Sequence, residues 1–410
     1  MNRLAVLCAG RAGTCMGTMV FAGAQPVLRD TWQMSASQAG TIQTVFNLSN
    51  ALALLVAAWC ADAYGAKRVY LVCTWAGAVA LAAFAWFARS PESALIAIVF
   101  VGLTQGGSYA PALMLAAELG PAAARGRAMG QMLAAGSSGY LVSVALALWA
   151  TQTYGAATGF ALCGAGVFAG ALLGHVSLLG PSFGPYEGHA ATRAAIPNGS
   201  RPRSALNPVA ICLLVGYVAH CWELLGNYAW TPSLLAAAVA PLHLDTLSRA
   251  LLTGVVVHFS GMLSTVAFGM LSDRWDRAPV LVAVGAAGAA CSILMGCSMQ
   301  WGPAWAVLIA AIGSFFILGD SGVLSAALSD AVAPHRFGRV MGIRSVLGFA
   351  VGALAPTTFG AVLDATHQWS RAYGTLAVGG GVACIAALCL WWLNGGPGMQ
   401  NRTLGDRRSG

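Results

Sequence analysis

AWCADAYGAKRVYLV, from Ala58 to Val72, and FGMLSDRWDRAPVLV, from Phe268 to Val282, are the same charged loop between the same kind of apolar flanks, 211 positions apart. Asp62 and Asp273 occupy matching places. Basic residues follow each, at Lys67 and Arg68 in the first copy and at Arg274 and Arg277 in the second. The chain is 58% hydrophobic and only 8% charged, against about 25% charged in soluble domains. With so few charges to place, a repeated charged loop marks topology. It points to two equivalent halves.

Outward from these loops, apolar blocks of about 20 residues alternate with short polar connections, the length that crosses roughly 30 Å of hydrocarbon. A segment in hydrocarbon must close its own backbone hydrogen bonds, so the blocks are helices. The shorter alternating segments of a membrane barrel do not occur. The expected fold is therefore an all-α membrane protein of twelve transmembrane helices, centred near residues 15, 48, 78, 105, 139, 169, 219, 259, 289, 316, 350 and 382. The opening MNRLAVLCAGRAG is read as the first helix and not as a leader, because Arg11 interrupts its apolar run and cleavage would leave an odd number of spans. Between Gly180 and Ser204 the pattern stops in a Pro-, Gly- and Arg-rich stretch, which reads as a linker. The expected division is a six-helix bundle over 1–180, a cytoplasmic linker over 181–205, and a second six-helix bundle with a short tail over 206–410.

The net charge of +8 would suit nucleic acid if it were gathered on one face, but it is dispersed over loops. With the amino terminus inside, fifteen Lys and Arg residues fall in cytoplasmic loops or tails, while Arg29, Arg89, Arg249 and Arg371 fall outside. That asymmetry is the positive-inside pattern and places both termini in the cytoplasm. The eleven cysteines are scattered through apolar segments without a CxxC pair, so they read as packing residues, with no metal, cofactor or disulfide framework implied. No GxxxxGK(S/T), HExxH or GxSxG stretch exists, which disfavours ATP-driven pumping and hydrolytic catalysis alike. A composition heavy in Ala, Gly and Arg with a single Lys suits a GC-rich bacterial genome, hence the inner membrane.

A second pair of loops repeats at an offset of 212. Glu118 pairs with Asp330, Gly126 with Gly338, Arg127 with Arg339 and Gly130 with Gly342. With the linker, these duplications resemble the major facilitator superfamily of secondary transporters. The stretch Asp62-Ala63-Tyr64-Gly65-Ala66-Lys67-Arg68 is similar to its Gly-x-x-x-Asp-(Arg/Lys)-x-Gly-(Arg/Lys)-(Arg/Lys) motif, departing at Ala58 and Ala63. The resemblance implies two pseudo-symmetric bundles rocking about a central cavity lined by the first and seventh helices. The loop charges Asp62, Arg68, Glu118, Arg127, Asp273, Asp330 and Arg339 are the candidate gating residues, as a charge network that holds one state; that they merely fix topology is the plainer alternative. The loop pair and the Gly319-Asp320-Ser321 stretch resemble, more loosely, the nitrate/nitrite- and cyanate-type branch. The glycine- and asparagine-rich nitrate motif is missing, and the second span carries no arginine.

Charges at bilayer depth cost a few kcal/mol or more and mark function or a partner. His220, Glu223, Asn227 and Trp230 are spaced along one face of the seventh span, before the Trp230-Thr231-Pro232 kink. Glu223, with His220 and Asp320, is the candidate proton carrier; a structural ion pair or packing group is the plainer alternative. Arg11 is the candidate anchor for an anionic solute, since a guanidinium donates two parallel hydrogen bonds to a planar anion; snorkelling to the interface is its plainer alternative. Gln43, Asn47, Gln105, Tyr109, His220, Asn227 and Trp230 complete the expected substrate path, with Ser108 and His258 as further polar groups. Asp320 and Arg344 are expected to face each other as a salt bridge, either an inner gate or a permanent pair. The expected function is proton-coupled symport of a small anion by a monomer in a lipid bilayer. The alternative is a drug or metabolite exporter working by proton antiport, although the fifth span, Gly130–Trp149, lacks the proline of the usual antiporter motif. A transporter-like sensor would want a larger cytoplasmic domain.

Overall fold

The computed structural model describes residues 2–119, 125–180, 207–332 and 334–395, with the side chains of 125, 126 and 334–339 left out. The expected linker therefore lies outside the described residues. Twelve helices among them are long and apolar enough to span a bilayer. In the first half these are α1 (Arg3–Thr31), α2 (Ala36–Tyr64), α3 (Ala66–Phe87), α4 (Pro91–Leu119), α5 (Arg127–Tyr154) and α6 (Ala156–Ser177). In the second they are α7 (Pro208–Leu242), α8 (Thr246–Trp275), α9 (Arg277–Ser298), α10 (Pro303–Ala331), α11 (Val340–Thr366) and α12 (Trp369–Leu393).

Local chemistry sets the helix ends. A reciprocal capping box between Ser35 and Gln38 starts α2. Asn207 accepts from the Ala210 N–H, with Pro208 at the first helical position of α7, and Asp245 caps α8. Three spans are interrupted. α1 tightens into a 3-10 turn at Cys15–Gly17, α8 widens into a π turn at Val255–Phe259, and α11 breaks between Gly352 and Ala355.

The halves pack alike. α2 against α4, α3 against α4 and α6, and α1 against α5 and α6 recur as α8 against α10, α9 against α10 and α12, and α7 against α11 and α12. Gly10 and Gly13 of α1 meet Gly170 and Gly174 of α6 so closely that an added methyl group would strike backbone, the small-residue contact by which helices associate in lipid. The halves meet through α2 with α11, α5 with α8, and α1 with α7.

Those cross-half contacts gather at the end of the bundle opposite the marker loops. Thr44 donates to the Ala353 carbonyl at 2.6 Å, Thr357 to Thr44 at 2.8 Å, and Gln25 to Ser233 at 3.4 Å. One apolar core there contains both Phe21 and Ile42 of the first half and Trp230, Leu234 and Phe359 of the second. Toward the marker loops each half keeps a core of its own, around Tyr70 and Leu115 in the first and around Leu281 and Leu328 in the second. The two halves thus share one core at the end opposite the marker loops and keep separate cores at the marker-loop end.

The duplicated loop adopts the same backbone twice. Gly65 and its counterpart Asp276 both sit at positive φ with extended ψ, +89° and 137° against +68° and 151°, a region that only glycine enters freely. Replacing the exposed Asp276 with glycine should therefore raise stability by about 1 kcal/mol. Gly65→Asp should lower it by a similar amount. Thermal unfolding of the two detergent-solubilised variants checks both signs.

Candidate functional site

On the first-half wall, Arg11 is only 5% exposed. Its Nη1 donates to Ser108 Oγ at 2.8 Å, and its guanidinium lies 5.6 Å from the Tyr109 ring centre. Gln105 braces this corner by donating to the Thr14 carbonyl at 3.0 Å and accepting from Thr18 at 3.0 Å. It thereby ties α4 to the 3-10 break of α1. Among the described residues no carboxylate lies within ion-pair distance of Arg11. A full positive charge at bilayer depth is held by one hydroxyl and one aromatic face. Tyr109 is itself partly exposed.

The second-half wall differs from the expected pairing. Asp320 of α10 is taken by His220, whose Nδ1 lies 2.6 Å from Oδ1. This is a close contact and not an aligned hydrogen bond, since Oδ1 accepts no directed hydrogen bond. Arg344 instead covers the Tyr217 ring, 3.6 Å from its centre. It donates to Ser325 at 2.9 Å and to the weak acceptor Met341 Sδ at 3.5 Å, and its Nε has no partner. The expected Asp320–Arg344 salt bridge is thus replaced by Asp320–His220. The two side chains still lie within electrostatic reach of each other.

Glu223 points into its own bundle. It accepts from Ser292 of α9 at 2.6 Å, and Gly288 and Gly380 leave the room its carboxyl occupies, since a methyl group at either would sit 3.2 or 2.8 Å from its oxygens. Asn227 accepts from Thr231, which also lies 3.3 Å from the Tyr373 hydroxyl. Trp230 donates to the Pro356 carbonyl at 3.0 Å, stacks on Phe359 and carries Arg29 over its ring at 5.7 Å. The spaced residues of α7 therefore split among α9, α10, α11 and α12. Trp230 belongs to the outer closure, and Gln43 and Asn47 pair with each other at 3.4 Å.

At the marker-loop end, Arg277 joins Asp330 at 2.5 Å and Asp273 at 3.6 Å, linking the two duplicated loops of the second half. Asp62, Arg68 and Arg127 are exposed and Glu118 is half-buried. The Arg339 side chain lies outside the described residues.

Two groups escape a reading by spacing alone. The π turn in α8 places His258 between Tyr140 of α5 and Tyr228 of α7, ring centres 5.9 and 5.0 Å away, with Nε2 unpaired. Such turns often mark functional positions. Asp364 at the outer end of α11 accepts from the Ala36 and Ser37 N–H groups at 2.8 and 2.7 Å and from the Ser37 hydroxyl at 2.5 Å. A carboxylate on the amino end of α2 from the other half is favoured by the helix dipole and by charge-assisted bonds. This latch ties the two halves together at the end opposite the marker loops. Its only sequence signal is an acid near the end of the eleventh span. Asp364→Asn should weaken it by about 1.5–3 kcal/mol and shift the chain toward outer opening. The check is a roughly tenfold faster alkylation of an Ala353→Cys variant by a membrane-impermeant thiol reagent, located by mass spectrometry.

The family model of the Major Facilitator Superfamily matches residues 7–356. Solved structures with the same fold include a D-xylose–proton symporter, 16% identical with a TM-score of 0.75 over 95% of this chain and 97% of that one. The xylose transporter XylE from E. coli in a partially occluded inward-open conformation follows at 14% and 0.73, covering 95% and 98%. A mutant of the nucleoside transporter NupG gives 14% and 0.72, covering 95% and 100%. No curated protein matches the sequence.

Proposed function

The chain belongs to the major facilitator superfamily of secondary transporters, and we propose that it moves a small anionic solute across the membrane by alternating access, in symport with protons. The observation that carries this reading is Arg11. A guanidinium 5% exposed, in a membrane span, with no carboxylate among its described neighbours is a costly arrangement unless an anion completes it. Its remaining donors, beside the partly exposed Tyr109, suit a planar oxyanion. The chain works as a monomer in a bacterial inner membrane, with both termini and the marker loops on the cytoplasmic side.

Coupling follows from competition for one cation. Asp320 contacts His220 and lies within electrostatic reach of Arg344 and Glu223. While Asp320 is ionised it draws on Arg344 electrostatically. A proton on Asp320 or His220 weakens that pull and leaves Arg344 free for a solute anion. Binding of anion and proton then reinforce each other, which is the thermodynamic requirement of symport. Glu223, sealed between α7, α9 and α12 and held by Ser292, is the second proton-carrying group. The outer latch at Asp364 and the loop charges around Arg277 are the contacts exchanged as the halves rock.

Arg11→Ala should weaken solute binding roughly 10- to 100-fold, the worth of about 1.5–3 kcal/mol for a charged hydrogen bond. Thermal stabilisation of the purified protein by anions reads it, and unchanged binding would remove the anchor. Asp320→Asn should leave solute exchange across proteoliposomes intact while abolishing accumulation driven by a pH gradient. Accumulation that survives in both Asp320→Asn and Glu223→Gln would place the proton elsewhere.

A further inference from the structure

The second buried guanidinium narrows the solute further, and the narrowing rests on the anion-transport reading above. Arg344 is 4% exposed, and among the described residues no carboxylate is in salt-bridge contact with it. Ser325 takes one bond, a thioether takes a second, and Nε takes none. The acid within its electrostatic reach is already in contact with His220. Arg11 belongs to the first half and Arg344 to the second, and Tyr109 lies within electrostatic reach of both. When His220 holds a proton, the His220–Asp320 contact is neutral within itself. Two unit positive charges are then left uncompensated, one in each half.

We propose that the solute is a short dicarboxylate, one carboxylate taken by Arg11 and the other by Arg344. A monoanion would leave one guanidinium uncompensated in the membrane, whereas a dianion satisfies both. Two planar forks on opposite walls match two separate planar carboxylates better than one compact anion. The tyrosine faces of Tyr109 and Tyr217 lie under the guanidiniums, and Tyr140, Tyr228 and His258 form a nearby aromatic cluster across the two halves. Together they offer a short carbon chain apolar surface, with hydroxyls and the unpaired His258 Nε2 at its edges. A ligand gripped by both halves also draws them together, which ties recognition to the rocking step.

The test uses the full-length protein in detergent and in proteoliposomes, with malonate, succinate and glutarate set against acetate, propionate, nitrate and inorganic phosphate at equal ionic strength. Thermal stabilisation should show at least one dicarboxylate binding ten times or more tighter than any monoanion. Arg344→Gln should reduce that affinity at least tenfold, to the monocarboxylate level. Arg344→Lys keeps the charge if the neutral variant fails to fold, and it should retain part of the preference. Equal affinity for mono- and dicarboxylates, unaffected at Arg344, would overturn the dicarboxylate while leaving anion transport standing. Phosphate bound tighter than every dicarboxylate would overturn it in favour of a single compact dianion. No stabilisation by any of these anions would overturn both readings.

Discussion

A positive charge buried in a membrane span with no carboxylate in salt-bridge contact among the described residues is the constraint on which the rest of this molecule turns. Arg11 and Arg344 are almost wholly buried, yet hydroxyls, a thioether and aromatic faces are what hold them. Those contacts soften the cost of desolvation without cancelling the charge. A helix bundle built only for stability has no use for such groups. One that binds an anion in one conformation and releases it in another does.

The architecture places these charges where they can matter. Each half has its own interior at the marker-loop end and shares one with its counterpart at the far end. Threonine-to-carbonyl bonds, close helix contact and the Asp364 carboxylate on the start of α2 close that far end. None of these contacts is individually large, so they suit a closure that must open again. The second-half charge cluster of Asp273, Arg277 and Asp330 connects loops within one half. It therefore stiffens that half as a body and leaves the halves free to part. Asp320 lies against His220, with Arg344 within electrostatic reach.

Much of the fold was legible in the sequence, for a physical reason. Hydrocarbon forbids unsatisfied backbone, so apolar blocks of span length leave helices as the only solution, and the copied loops around Asp62 and Asp273 reveal the repeat. Even the conformation is duplicated there, glycine at 65 and strained aspartate at 276. The site was legible only in part. Spacing placed His220, Glu223, Asn227 and Trp230 on one side of α7 but could not tell which neighbour each would meet, because that depends on how surrounding helices are rotated. Asp320 accordingly faces His220 and not Arg344. His258 depends on a π turn that no 3.6-residue pattern anticipates, and Asp364 on contact between residues more than 300 positions apart.

The most direct test of proton-coupled anion transport is the proton flux that accompanies solute entry. Wild-type protein would be reconstituted in lightly buffered proteoliposomes without an imposed gradient, and a stabilising dicarboxylate added outside while external pH is followed. The account predicts a prompt external alkalinisation that scales with solute uptake and is absent in Asp320→Asn. Uptake of the anion with no change in external pH would contradict it.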